Sequence, residues 1–240
     1  SGGGEALTTA DLIIRSAAEF YNQLKADENG RFRSWEHCYS HFMRARNQSE
    51  VDHDYLSLQL AFYLASWGMY RGSSFLLQKD YRVHIPIVKE ILKPEYDGLA
   101  GIDCYQYRNR ETQCMLGKLN SYIGEYYDSV RLDVKEECPK NKLSDTLITK
   151  VLMGALGCVP AYDRYFIMGV KHQNVTTGLY NMKSMLKLVD FYEENKTQLE
   201  ATRKTLTVEG LPYPQMKMLD MGFWQIGFEL ESNKGLQIAH

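Results

Sequence analysis

A chain of 240 residues with 44% hydrophobic composition is long enough to bury a substantial core and falls within the size of one large domain. Its 28 basic and 30 acidic side chains leave a net charge of −2, so no global field draws it to nucleic acid or membrane, and any such binding needs a local patch. Apolar stretches stop well short of the roughly 20 residues that span a bilayer, and no secretory signal is visible. Cys38, Cys104, Cys114, Cys138 and Cys158 are odd in number and form no C-x-x-C pair, which argues against a disulfide framework or a Cys-rich metal site. A reducing cytoplasm is the expected setting, with no cofactor and no metal.

Residues 1–4 read as a cloning scar, leaving 5–240 as a single all-α domain. Thr9 is positioned to cap a first, peripheral helix in which Ile13, Ala17, Phe20 and Leu24 recur at helical spacing, with Asn29-Gly30 at its end. Ser34 opens a second helix carrying Trp35, Tyr39 and Phe42 on one face and Arg44 and Arg46 in its last turn. Asp52 or Asp54 opens a third, Tyr55 to Trp67, whose Leu56, Leu58, Leu60, Ala61, Tyr63 and Leu64 predict burial on most sides. Gly68 to Ser74 reads as a tight exposed turn, followed by a short helix from Phe75. Pro86 fits the first turn of a helix that Pro94 stops, and from Glu95 to Arg108 the pattern lapses.

Met115 or Leu116, Leu119, Ile123 and Tyr126 define a long amphipathic helix, followed by a charged exposed connector, Arg131 to Lys142. Ser144 begins a helix through Leu156, with Gly157 just past its end. Leu179, Met182, Leu186 and Val189 predict another, and Tyr213-Pro214 starts a last one through Met221, Trp224 and Phe228. The first and last helices are candidates to pack together, and no strand pair is expected. The outcome is a compact orthogonal multi-helix domain.

Chemistry concentrates between Gly157 and Tyr165, where a helix end leads through the rigid Val159-Pro160 corner to Asp163 at the start of a new helix. A carboxylate held there beside aromatic residues serves equally as a plain N-cap or as a group that stabilises a cationic sugar or activates water.

This segment, Leu147 to Phe166, resembles the catalytic turn of helix-hairpin-helix DNA glycosylases, which place a buried helix, a Pro-containing turn and an Asp in this order. More loosely, Leu56 to Trp67 and the Gly68 to Ser74 turn are similar to the family's first core helix and DNA-probing loop, so the glycosylase-like core spans 51–172. The resemblance implies binding of double-stranded DNA, flipping of a damaged or modified base into a pocket, and hydrolysis of its N-glycosidic bond with Asp163 assisting, in repair or in defence against foreign DNA. It also implies DNA or base contacts from Tyr70, Arg71, Ser73, Lys142, Ser144, Lys150, Tyr162, Arg164 and Tyr165. No Gly-x-Gly turn precedes Ser144, so the phosphate anchor is expected from Pro139 to Ser144 or from the helix N-terminus. The Schiff-base lysine of some members has no counterpart, because Lys142 and Lys150 are both out of register with the Asp, so a monofunctional enzyme is expected. The family's four-cysteine cluster is absent as well.

Two other readings stand beside this one. In the first, Asp163 only caps its helix and the tyrosine-rich surface binds a protein or a nucleic acid. In the second, Arg31 and His37 form an R-x5-H ribonuclease pair, although Arg31 falls in a predicted loop. His37 and His41 have zinc-binding spacing but no third ligand, and read as structural.

Overall fold

The computed structural model describes residues 4–134 and 143–238. Ten α-helices make up most of them: α1 (Thr9–Ala26), α2 (Ser34–Ala45), α3 (His53–Ser66), α4 (Ile85–Ile91), α5 (Arg110–Val134), α6 (Asp145–Ala155), α7 (Arg164–His172), α8 (Met182–Glu194), α9 (Lys196–Arg203) and α10 (Gln215–Ile238). The expected all-α class is what forms. No helix among the described residues is long and apolar enough to cross a membrane.

The last helix organises the rest. From Tyr213 to Gly227 every residue is buried except Trp224, which is half-buried, so the first half of this helix is wrapped on all sides. Its main neighbours are α7 and α1, so the two ends of the chain do pack together. Gly169 on α7 and Gly227 on α10 permit the close crossing: a Cβ at Gly169 would lie 2.1 Å from the Phe223 carbonyl oxygen, and one at Gly227 1.9 Å from that of Tyr165. On the other flank α2 packs on α3 and α6. The Trp35 indole donates to the Met153 carbonyl at 2.9 Å, and the Tyr63 hydroxyl to the Lys150 carbonyl at 2.9 Å. These bonds fix α6, which leads into the turn that carries Asp163.

Several expectations shift by a residue or a face. Thr8, not Thr9, caps α1, exchanging bonds with Asp11, while the Thr9 hydroxyl reaches Gln173. Asp52 caps α3, but Leu58 is 46% exposed on a stripe with Tyr55 and Phe62, so that helix buries only part of its circumference. The seam of α5 runs through Leu116, Leu119, Ile123, Tyr127 and Val130, with Tyr127 replacing Tyr126, and the helix continues through Arg131 to Val134 where a connector was expected. Leu179 is exposed because α8 starts later, where Asn181 accepts the Ser184 N–H.

Two short elements depart from expectation altogether. Polar α9 buries only Leu199 and so shows little apolar periodicity. Thr207–Val208 and Leu211–Pro212 form a two-residue antiparallel pair across Glu209-Gly210, both at positive φ. That is a primed hairpin turn, with Glu where Asn or Asp normally signals one.

Candidate functional site

The turn between α6 and α7 is held by side chains on every side. Gly157, at φ +60°, closes α6 by donating to the Leu152 and Met153 carbonyls. The chain then runs buried through Cys158 to Tyr162, where backbone groups need partners inside the protein. Asp220 of α10 accepts the Ala161 N–H at 2.9 Å, and Thr149 of α6 accepts the Tyr162 N–H at 2.9 Å. Thr146 donates to the Tyr162 carbonyl at 3.0 Å, and the Asp163 N–H to the Ala161 carbonyl at 2.8 Å. With its donors and acceptors bound to two helices, the turn has no alternative arrangement at similar cost.

Asp163 follows as the N-cap of α7. Its Oδ1 accepts the Phe166 N–H at 3.0 Å, while Oδ2 lies 3.8 Å from the Lys150 Nζ. The residue is 8% exposed, and burial lifts its pKa from an ordinary 3.8 to about 6, against the opposing pull of the Lys150 ammonium and the Phe166 N–H. Lys150 is buried as well, donates to the Trp67 carbonyl at 2.6 Å, and has its pKa lowered chiefly by desolvation.

Behind them lies a second buried pair, Lys217 and Asp220 at 3.2 Å, with the Lys217 ammonium 4.6 Å from the Trp35 ring centre. Four charges in one buried cluster are a poor route to stability, because apolar residues of the same volume commonly fold as well or better. Such a concentration of buried charge beside a cleft is the kind of arrangement that candidate sites share with structural ion-pair networks.

The cluster borders a cleft of about 850 Å³, lined by Asp163, Lys150 and Thr146. An aromatic wall of Phe20, Phe32, Trp67, Tyr165, Trp224 and Phe228 also lines it. The wall is continuous: Phe32 and Trp67 are 4.4 Å apart, Trp67 and Trp224 5.6 Å, Trp224 and Phe228 5.2 Å with rings nearly parallel, and Tyr165 and Trp224 5.4 Å. Arg31, Arg33, Arg71 and Arg164 also line the cleft, opposed by Asp27 and Asp163, so a chain with no global field carries a local basic patch. The volume suits one nucleotide unit, and the wall offers a π-face to any base.

The structure sorts the residues singled out from the sequence. Asp163, Lys150, Arg71, Arg164 and Tyr165 meet at the cleft. Lys150 was expected to be out of register, yet the fold-back of residues 157–162 returns the chain beside it. Tyr162 is buried instead, its hydroxyl bonded to Ser184 and its ring against Phe166 and Tyr180, and cannot stack on a base. Tyr70 bonds His84 at 2.7 Å and does not line the cleft. Ser73 is exposed away from the cleft lining, and Ser144 is the N-cap of α6, accepting the Thr146 N–H. Lys142, Cys138 and the proposed anchor Pro139 to Lys142 lie outside the described residues.

The other pairings separate. Arg31 donates to the Ser66 carbonyl at the cleft, whereas His37 is exposed and not part of its lining. His41 contacts Arg44 and Tyr55, and among the described residues no cluster of His, Cys, Asp and Glu could hold a metal.

Sequence reasoning missed the aromatic wall and the Lys217–Asp220 pair. The wall residues sit at core spacing, indistinguishable from packing residues. The pair did leave a signal: two charges three apart within the otherwise apolar run Met216 to Phe223. No protein-family model matches the chain, and neither curated proteins nor solved structures give a match.

Proposed function

We propose that the protein is a DNA glycosylase of helix-hairpin-helix type, which draws one modified base from duplex DNA into the aromatic cleft and hydrolyses its N-glycosidic bond with Asp163. The observation that carries this reading is a desolvated carboxylate, rigidly held at a helix start, on the wall of a nucleotide-sized aromatic cleft. With a pKa near 6, Asp163 is mostly ionised at neutral pH. In that form it stabilises positive charge developing on the sugar and takes a proton from the attacking water.

The aromatic wall supplies stacking that offsets the cost of unstacking the base. Arg71 and Arg164 are exposed at the cleft, where they suit the flanking phosphates, although Arg164 also pairs with Glu231. Tyr165 takes the stacking role, while Tyr70 and Tyr162 belong to the scaffold.

The test is excision from duplexes carrying single modified bases, read as alkali-induced strand breaks. Breaks at the position of at least one modified base, in the strand that carries it, abolished in Asp163→Asn with the fold intact, are the expected result. A second reading, a nucleic-acid-binding module without catalysis, draws on the fact that Asp163 Oδ1 is already engaged as a cap. Tight binding without release of any base would favour it, and cleavage of RNA would favour the ribonuclease.

A further inference from the structure

We infer that the cleft takes an uncharged base and expels it as an anion, with the Lys150 ammonium receiving the departing charge, and that it discriminates against bases made cationic by ring alkylation. The inference rests on the glycosylase reading above. Aromatic clefts with a carboxylate ordinarily suit cations, because ring faces attract positive charge. Here the Phe32, Trp67 and Tyr165 rings of the wall already have a cation close by. The Trp67 ring has Lys150 at 5.8 Å and Lys217 at 5.5 Å, the Phe32 ring has Arg31 at 4.8 Å, and the Tyr165 ring has Arg164 at 5.7 Å. The Asp163 carboxylate is balanced by Lys150 and capped by Phe166. A cationic base would therefore meet like charge against the rings that should hold it.

The same cations fit the opposite chemistry. When the C1′–N bond of an uncharged base breaks, the electron pair leaves with the base. Water oxygen bonds to C1′, and the proton released to Asp163 reaches the departed base through solvent. Negative charge then develops on the base in the transition state, where a buried fixed cation is most effective. Lys150 lines the cleft beside Asp163, 6% exposed and tethered to the Trp67 carbonyl, so it is held in place before the bond breaks. A base alkylated on a ring nitrogen leaves neutral and gains nothing from it.

The experiment compares single-turnover release of uracil, hypoxanthine, 8-oxoguanine and 7-methylguanine from otherwise identical duplexes by wild type, Lys150→Met and Lys150→Arg. Expected are release of at least one uncharged base about 100-fold faster than 7-methylguanine, a loss of about 100-fold on that base in Lys150→Met, and partial recovery in Lys150→Arg. Release of 7-methylguanine at an equal or greater rate overturns the inference and leaves the glycosylase reading standing. Borohydride trapping of a wild-type protein–DNA adduct that Lys150→Met abolishes makes the amine a nucleophile and overturns its role as charge acceptor. No release of any base removes the glycosylase reading, and the inference with it. Circular dichroism establishes that the variants fold; if Lys150→Met does not, the wild-type preference still decides.

Discussion

Replacing Asp163 by Asn should reverse the usual cost of losing a buried ionic group. Burial holds the folded-state pKa at about 6, above the ordinary 3.8 that the unfolded chain recovers. Between those values the folded state keeps a proton that the unfolded state has released, so wild-type stability falls as pH rises through that window. The rise corresponds to about 3 kcal/mol, fully expressed by about pH 7. Asn cannot ionise, and its side-chain oxygen still accepts the Phe166 N–H, preserving the cap. Lys150 loses its partner in the variant, which shifts the whole curve without giving it slope while the ammonium persists. The stability of Asp163→Asn relative to wild type should therefore grow by about 3 kcal/mol from about pH 4 to pH 7. In urea titrations followed by tryptophan fluorescence, that is a relative midpoint shift of about 1 M. A difference that stays constant across the range would mean the carboxyl is not desolvated, and the reasoning about its catalytic form would fail.

Three further outcomes follow from the packing. His84 is buried between the Tyr70 and Tyr127 hydroxyls, each 2.7 Å away, and burial lowers its pKa from 6.5 to about 4. Its contribution has the opposite sign: about 3 kcal/mol is lost as pH falls from about 6.5 to 4, so in wild type it masks the Asp163 slope, and urea titrations of His84→Gln should reveal that slope. Gly227→Ala and Gly169→Ala should each cost about 3 kcal/mol and lower Tm by about 10 °C in calorimetry, whereas Gly117→Ala, with open space at its Cβ, should be neutral or stabilising. Asp220→Ala should cost about 1–3 kcal/mol more than Asp220→Asn, because only Asn retains an acceptor for the Ala161 N–H; hydrogen exchange at that amide should accelerate in the Ala variant alone.

Local chemistry made the helices and the Asp163 turn legible. Ser144, Asp52 and Asp163 announce helix starts, Gly157 a helix end, and each does so in the structure. What stayed hidden depends on contacts between distant segments. Nothing within residues 20 to 32 shows that Phe20 and Phe32 face Trp224 rather than a sealed core, and nothing near Lys150 shows that the next turn doubles back to it. Tyr70 and Tyr162 failed as base contacts because a tyrosine reads the same whether its hydroxyl meets solvent or a buried His84 or Ser184. Helix α9 went unseen because it buries only Leu199 and so lacks an apolar stripe, and the Glu209-Gly210 hairpin because Glu stands where Asn or Asp usually signals a primed turn.

The aromatic wall joins the opening and closing helices, with Phe20 contributed by α1 and Trp224 and Phe228 by α10. An occupant spanning those rings would act as a non-covalent clasp between α1 and α10, and saturating it at a hundredfold excess over Kd would add about 2.7 kcal/mol to the work of pulling them apart. Because α1 and α10 share the wall, loosening either helix should dismantle the cleft.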